Sequence, residues 1–141
     1  MADELLTARG VRKSYGRTEA LRGVGLEVGD GEVVAVTGPS GSGKSTLLLS
    51  LAGVLRPEAG EIRYDGARLD DLDEAARTRL RRREFGVVLQ FGQLVPELTA
   101  VQNVAFPLLL ERHDRAAAQR AALGWLERLD ALALEIGRAH V

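Results

Sequence analysis

Two kinds of apolar pattern run along this chain. Leu21, Val24, Leu26 and Val28 fall mostly at even spacing with polar residues or glycine between them, which predicts an antiparallel strand with one covered face. Leu5 to Val11 and Glu61 to Tyr64 predict two further short strands. Glu32-Val33-Val34-Ala35-Val36-Thr37 and Phe85-Gly86-Val87-Val88-Leu89-Gln90 do not alternate. Unbroken apolar runs of this kind are expected of parallel strands buried on both faces.

Helix and turn signals fill the rest. Thr46 to Ala52 is a leucine-rich segment closed by Gly53, a residue suited to ending a helix. Asp73 can cap a helix over Glu74–Arg83, and Thr99-Ala100-Val101-Gln102 is a capping box for a helix through about Leu110. Asp114 can cap a last helix over Arg115–Leu132, with Ala122, Leu123, Leu126 and Leu129 mainly on one face. Pro107 should kink or interrupt the helix it lies in. Turns are expected at Lys13–Gly16, Gly29–Gly31 and Pro57–Gly60, and Asp65-Gly66 is a hairpin signal. Strands dominate the first part and helices the last, which predicts a mixed α/β core with a helical subdomain beginning near Leu94.

Between the first unbroken run and the leucine-rich helix stands Gly38-Pro39-Ser40-Gly41-Ser42-Gly43-Lys44-Ser45. Its pattern is G-x-x-x-x-G-K-[ST], and each fixed position has a mechanical task. The glycines let the chain curl with its amides pointing inward and leave no Cβ in the way of a phosphate. Lys44 supplies a cation to the β- and γ-phosphates, and Ser45 offers a hydroxyl to Mg²⁺. The helix from Thr46 onward aims its positive end at the same anion. Strand, loop and helix in that order distinguish a phosphate loop from a glycine-rich turn with an incidental lysine.

Composition narrows the picture. A chain of 141 residues suffices for one domain with a core. The net charge is −1, so no basic surplus points to nucleic acid. Arg77, Arg79, Arg81, Arg82 and Arg83 crowd one predicted helix, but no aromatic residue interleaves with them. Asp70, Asp71, Asp73, Glu74 and Glu84 offset them, as on a solvated helix face. The absence of cysteine excludes a disulfide framework and thiolate chemistry and fits a reducing compartment. The longest apolar stretch, Val104 to Leu110, is too short to span a bilayer, and the acidic N-terminus lacks an apolar signal core. Any link to a membrane is expected to run through a partner.

Four segments together go beyond the phosphate loop. They are Leu21-Arg22-Gly23-Val24 with Gly31–Val36, then Thr37–Leu48, then Phe85–Gln90, and Leu94-Val95-Pro96-Glu97-Leu98-Thr99-Ala100-Val101-Gln102-Asn103-Val104. With them the chain, from about Leu5 to Leu134, resembles the ATP-binding cassette domain of ABC transporters, in its lipoprotein-release, macrolide-export and cell-division branch. The resemblance implies an α/β fold: a P-loop NTPase core of ABC type, an antiparallel β subdomain and the start of a helical subdomain, incomplete at its C-terminal side. It implies ATP and Mg²⁺ as ligands, with Gly38, Pro39, Ser40, Gly41, Ser42, Gly43, Lys44, Ser45 and Thr46 on the nucleotide and Tyr15 stacked on adenine. It assigns Gln90 to Mg²⁺ and the attacking water, beside Ser45 on the metal and Lys44 on the phosphates. It implies transmembrane permease subunits and a second ATP-binding domain as partners, with Leu94–Asn103 bordering the permease contact at the cytoplasmic face of the membrane.

The family pattern also stops early. No Leu-Ser-Gly-Gly-Gln signature, no apolar strand ending in Asp-Glu and no switch histidine follow, and neither His113 nor His140 is given a role. Glu135-Ile136-Gly137-Arg138-Ala139-His140-Val141 departs from the family and resembles a translated sequencing adapter. Residues 1–134 are therefore expected to be a partial ATP-binding domain and 135–141 an extraneous tail. Parts for nucleotide binding are present without those for hydrolysis, so the chain alone is expected to bind nucleotide at most. Two alternatives remain open on the residues themselves: a non-catalytic nucleotide-binding module, and another P-loop enzyme such as a small-molecule kinase.

Overall fold

Alternating segments find each other as hairpins, and in the computed structural model, which describes residues 4–131, they build one antiparallel sheet. β1 (Glu4–Tyr15) pairs with β2 (Thr18–Gly29) through Ala8↔Leu26, Val11↔Val24 and Tyr15↔Thr18. On its other side β1 pairs with β3 (Ala59–Tyr64) through Leu6↔Tyr64 and Ala8↔Ile62. β3 turns at Asp65-Gly66 into the short β4 (Ala67–Arg68), giving the order β2-β1-β3-β4. Both turn residues have positive φ, 48° and 75°, as a type I′ hairpin requires. The turn expected at Lys13–Gly16 lies two residues later, at Gly16-Arg17, because Lys13 and Tyr15 stay in the ladder.

One face of the sheet is covered by α1 (Lys44–Leu51), and Ala8, Val11, Leu21, Leu47, Leu51, Ile62 and Leu69 form the core between them. Asp70 closes the far edge: its carboxylate accepts from the Ile62 amide at 2.8 Å and from Arg68, while the Leu69 amide donates to the Ile62 carbonyl. Beyond β4, Asp73 caps α2 (Glu74–Glu84) by accepting from the Ala76 amide. The arginines of α2 are not one solvated face. Arg77 is buried against Glu74, and Arg81 donates to the Gly53 carbonyl at 2.6 Å.

The two unbroken apolar runs are not strands in the structure. Residues 32–37 and 85–90 carry no ladder, and Val33 is 95% and Val88 98% exposed. A parallel strand needs partners brought in by crossovers, and the described residues supply none for these runs.

The chain divides into two compact units between Val87 and Val88. In the second, α3 (Ala100–Leu110) and α4 (Arg115–Arg128) pack through Val101, Ala105, Ala118, Ala122 and Leu126. The Thr99–Gln102 capping box is formed in both directions, and Asp114 caps α4 through the Ala117 amide. α3 runs through Pro107 without a break. In the last turn the missing N–H costs one bond rather than the helix. α4 ends at Arg128 rather than Leu132, which leaves Leu129 largely exposed. Its stop is a Schellman motif: the Ala131 amide donates to the Leu126 carbonyl and the Asp130 amide to that of Glu127, with Asp130 at φ 54°. α3 stops the same way at Arg112, φ 61°, and α1 at Gly53. The tail Glu135–Val141 and the proposed boundary at Leu134 lie outside the described residues.

Candidate functional site: a glycine-rich loop on an uncapped helix

α1 begins without the usual side-chain cap. Its N-cap is Gly43 at φ 90°, and its first turn holds no acidic residue. The first intrahelical bond runs from the Leu47 amide to the Gly43 carbonyl. The amides of Lys44, Ser45 and Thr46 therefore precede the ladder and are free to meet an anion. Gly43 is obligatory on a second ground: a Cβ there would collide with the Ala20 carbonyl of β2. That contact sets the loop against the β1–β2 hairpin, near the strand end that carries Tyr15.

The loop from Gly38 to Ser42 is organised around the Lys44 ammonium. Lys44 Nζ donates to the Gly38 carbonyl at 2.7 Å, the Pro39 carbonyl at 2.6 Å and Ser42 Oγ at 3.3 Å. An ammonium has three donors. Two are committed to the start of the loop, and the third, on Ser42, is the longest and weakest. Exchange of that third bond for a phosphate oxygen would leave the loop unchanged. Ser40 and Gly41 form the exposed tip, with the Ser42 amide closing a turn onto the Pro39 carbonyl at 3.2 Å. Ser45 is exposed at the helix start, and the Thr46 carbonyl accepts from Ser50 Oγ. Among the described residues no cluster of three His, Cys, Asp or Glu gathers. A divalent ion beside this loop would meet the Ser45 hydroxyl and phosphate oxygens, hard donors of the kind that suit Mg²⁺.

Tyr15 ends β1 at the hairpin tip, 51% exposed. Gln90 is exposed in the second unit. In that same unit Asn103 ties the segment after it to α3. Its Nδ2 donates to the carbonyls of Val95, Leu98 and Thr99, and its Oδ1 accepts from the Val95 amide. A cavity of about 430 Å³ opens alongside, lined by Leu98, Val101, Ala105, Phe106, Leu109 and Arg115 among others. The sequence pattern named the loop residues but not Lys13, whose ammonium lies over the Tyr15 ring. Their spacing of two along a strand was the available signal. Among the described residues no helix is long and apolar enough to cross a membrane.

A family model described as ABC transporter matches residues 21–139. The lipoprotein-releasing system ATP-binding protein LolD 2 of Caulobacter vibrioides is 46% identical over 134 residues, covering 92% of this chain and 58% of its own length. LolD of Maricaulis maris is 41% identical over 133 residues, again 92% and 58%. The dimeric post-hydrolysis structure of the ATP-binding cassette MJ0796, bound to ADP and Pi, superposes with a TM-score of 0.86 at 33% identity, covering 94% of this chain and 61% of that one. The chain thus spans a little over half the length of the relatives it matches.

Proposed function

The chain belongs to the ABC transporter family, and on that premise we propose that it is part of an ATP-binding subunit that couples ATP binding and hydrolysis to transport, of the lipoprotein-release type. The observation that carries this is the uncapped start of α1 facing a loop already gathered around Lys44. Backbone amides and one ammonium converge where the β- and γ-phosphates of ATP would lie. Lys44 holds charge that grows on the transferred group, and Tyr15 stacks on the adenine. Ser45 and Gln90 are the proposed Mg²⁺ ligands, and the ion when bound neutralises the phosphate oxygens. Gln90 also orients the attacking water and reports on the permease.

Residues 1–134 form part of the ATP-binding domain in this proposal, and 135–141 are extraneous to it. The partners are transmembrane permease subunits and a second ATP-binding domain, at the cytoplasmic face of the membrane. The segment held by Asn103, with the neighbouring cavity of mixed polar and apolar lining, supports a permease contact near Leu94–Asn103.

Equilibrium binding of Mg-ATP tests the phosphate loop. A charge-assisted hydrogen bond is worth about 1.5–3 kcal/mol, so Lys44→Ala should weaken binding about ten- to a hundredfold. Arg79 is the suitable control, because it is exposed on α2 whereas Arg81 braces Gly53. Equal losses in Lys44→Ala and Arg79→Ala would overturn the assignment.

A further inference from the structure

The Tyr15 ring is not equally open on its two faces. The Lys13 ammonium lies 5.9 Å from its centroid. The two residues stand two apart on β1 and so share a side of the strand. Lys13 is itself held: its Nζ is 3.9 Å from Glu58 Oε1, and its side chain is only 21% exposed. Glu58 is fixed in turn by its backbone, since its amide donates to the Arg12 carbonyl at 2.9 Å. A line of contacts therefore runs from the segment after α1 through Glu58 and Lys13 to one face of Tyr15, while half of the tyrosine surface stays in solvent.

We propose that Lys13 is a positioning residue for the purine base of a nucleoside triphosphate, bracing the covered face of Tyr15 so that the base stacks on the open one. This rests on the assignment of Tyr15 to adenine. The ammonium draws π density toward itself, pins the ring rotamer and denies the second face to any ligand. Glu58 keeps the ammonium in place. The helix that starts at the phosphate loop is thereby followed by the residue that steadies the base platform, so both parts of one ligand are referred to the same helix.

The test compares Mg-ATP with Mg-tripolyphosphate, which lacks the base, by equilibrium binding to the 141-residue chain. Lys13→Met should lower the ATP-to-tripolyphosphate affinity ratio about two- to fivefold, the range of an exposed cation–π contact. Glu58→Gln should lower the same ratio by releasing Lys13, although its charge change has the opposite sign. In a Tyr15→Ala background Lys13→Met should have no further effect on the ratio. Pure charge would instead move both ligands together, down for Lys13→Met and up for Glu58→Gln, and that result overturns the brace. If Tyr15→Ala lowers the ratio and Lys13→Met does not, the brace fails while the adenine assignment stands. If Tyr15→Ala leaves the ratio unchanged, that assignment fails and takes the brace with it.

Discussion

Ile62 stands between the charged Glu61 and Arg63 and Val88 between the apolar Val87 and Leu89, yet Ile62 has no solvent exposure and Val88 is 98% exposed. Ile62 lies in β3 against Ala8, with β4 one tight turn away. Val88 lies in an apolar run with no ladder partner among the described residues. The difference is one of partners rather than composition. An antiparallel segment can be covered by chain a few residues distant. A segment shaped for a parallel sheet depends on strands that arrive through long connections.

Substitution at those two positions should give the largest contrast. Ile62→Ala removes fully buried surface and is expected to cost about 2–5 kcal/mol, read from denaturant unfolding of the chain. Val88→Ala should stay within about 0.5 kcal/mol. A comparable loss at Val88 would show that the second run is covered in solution and would break the comparison.

The sheet edge offers a finer probe. Burial tends to raise the Asp70 carboxyl, but the Arg68 hydrogen bond and the Ile62 amide outweigh it, and its pKa falls below the ordinary 3.8. A carboxyl lowered on folding stabilises the folded state above its unfolded pKa, and that contribution is lost as pH falls through the folded value. Asp70→Ala leaves the Ile62 amide without its partner, at about 1–3 kcal/mol near neutral pH. The gap between wild type and variant should narrow as unfolding is measured at pH values below 3.8. A gap independent of pH would remove the carboxylate from the account.

The smallest effect separates the helix ends. α1 stops on Gly53, whereas α3 and α4 stop on Arg112 and Asp130 in the same left-handed conformation. Relief of that conformation outweighs the added freedom of the unfolded chain, so Arg112→Gly and Asp130→Gly should each stabilise by about 0.5 kcal/mol. Thermal melts of the two variants check this, and a loss in either would mean that the side chain contributes more than the backbone strain costs.

Much of this was legible in the sequence because its causes are local. The caps at Asp73, Thr99 and Asp114, the Asp65-Gly66 hairpin and the glycine-rich loop that opens α1 each depend on a few adjacent residues. The run Val33–Val36 announced burial that these residues do not supply. The end of α4 was misplaced because Asp130 reverses the chain without the glycine that usually marks such a stop. The Arg77 and Arg81 contacts were hidden because a charge run reads the same whether its members face water or a carbonyl across a loop. The brace on Tyr15 was hidden because it depends on Glu58, distant in sequence.

The β1–β2 hairpin also has a consequence in time. Hairpins close in about 1–10 μs, while synthesis adds only about 5–20 residues each second. Once residues 4–29 have left the ribosome, the pairing from Glu4↔Gly29 to Tyr15↔Thr18 can therefore form in less time than it takes to add one further residue. Val33 and Val34 then emerge beside this hairpin, while β3 at Ala59–Tyr64 follows only seconds later. During that interval the growing chain carries a lone hairpin followed by an exposed apolar run, a form open to association until more of the chain arrives.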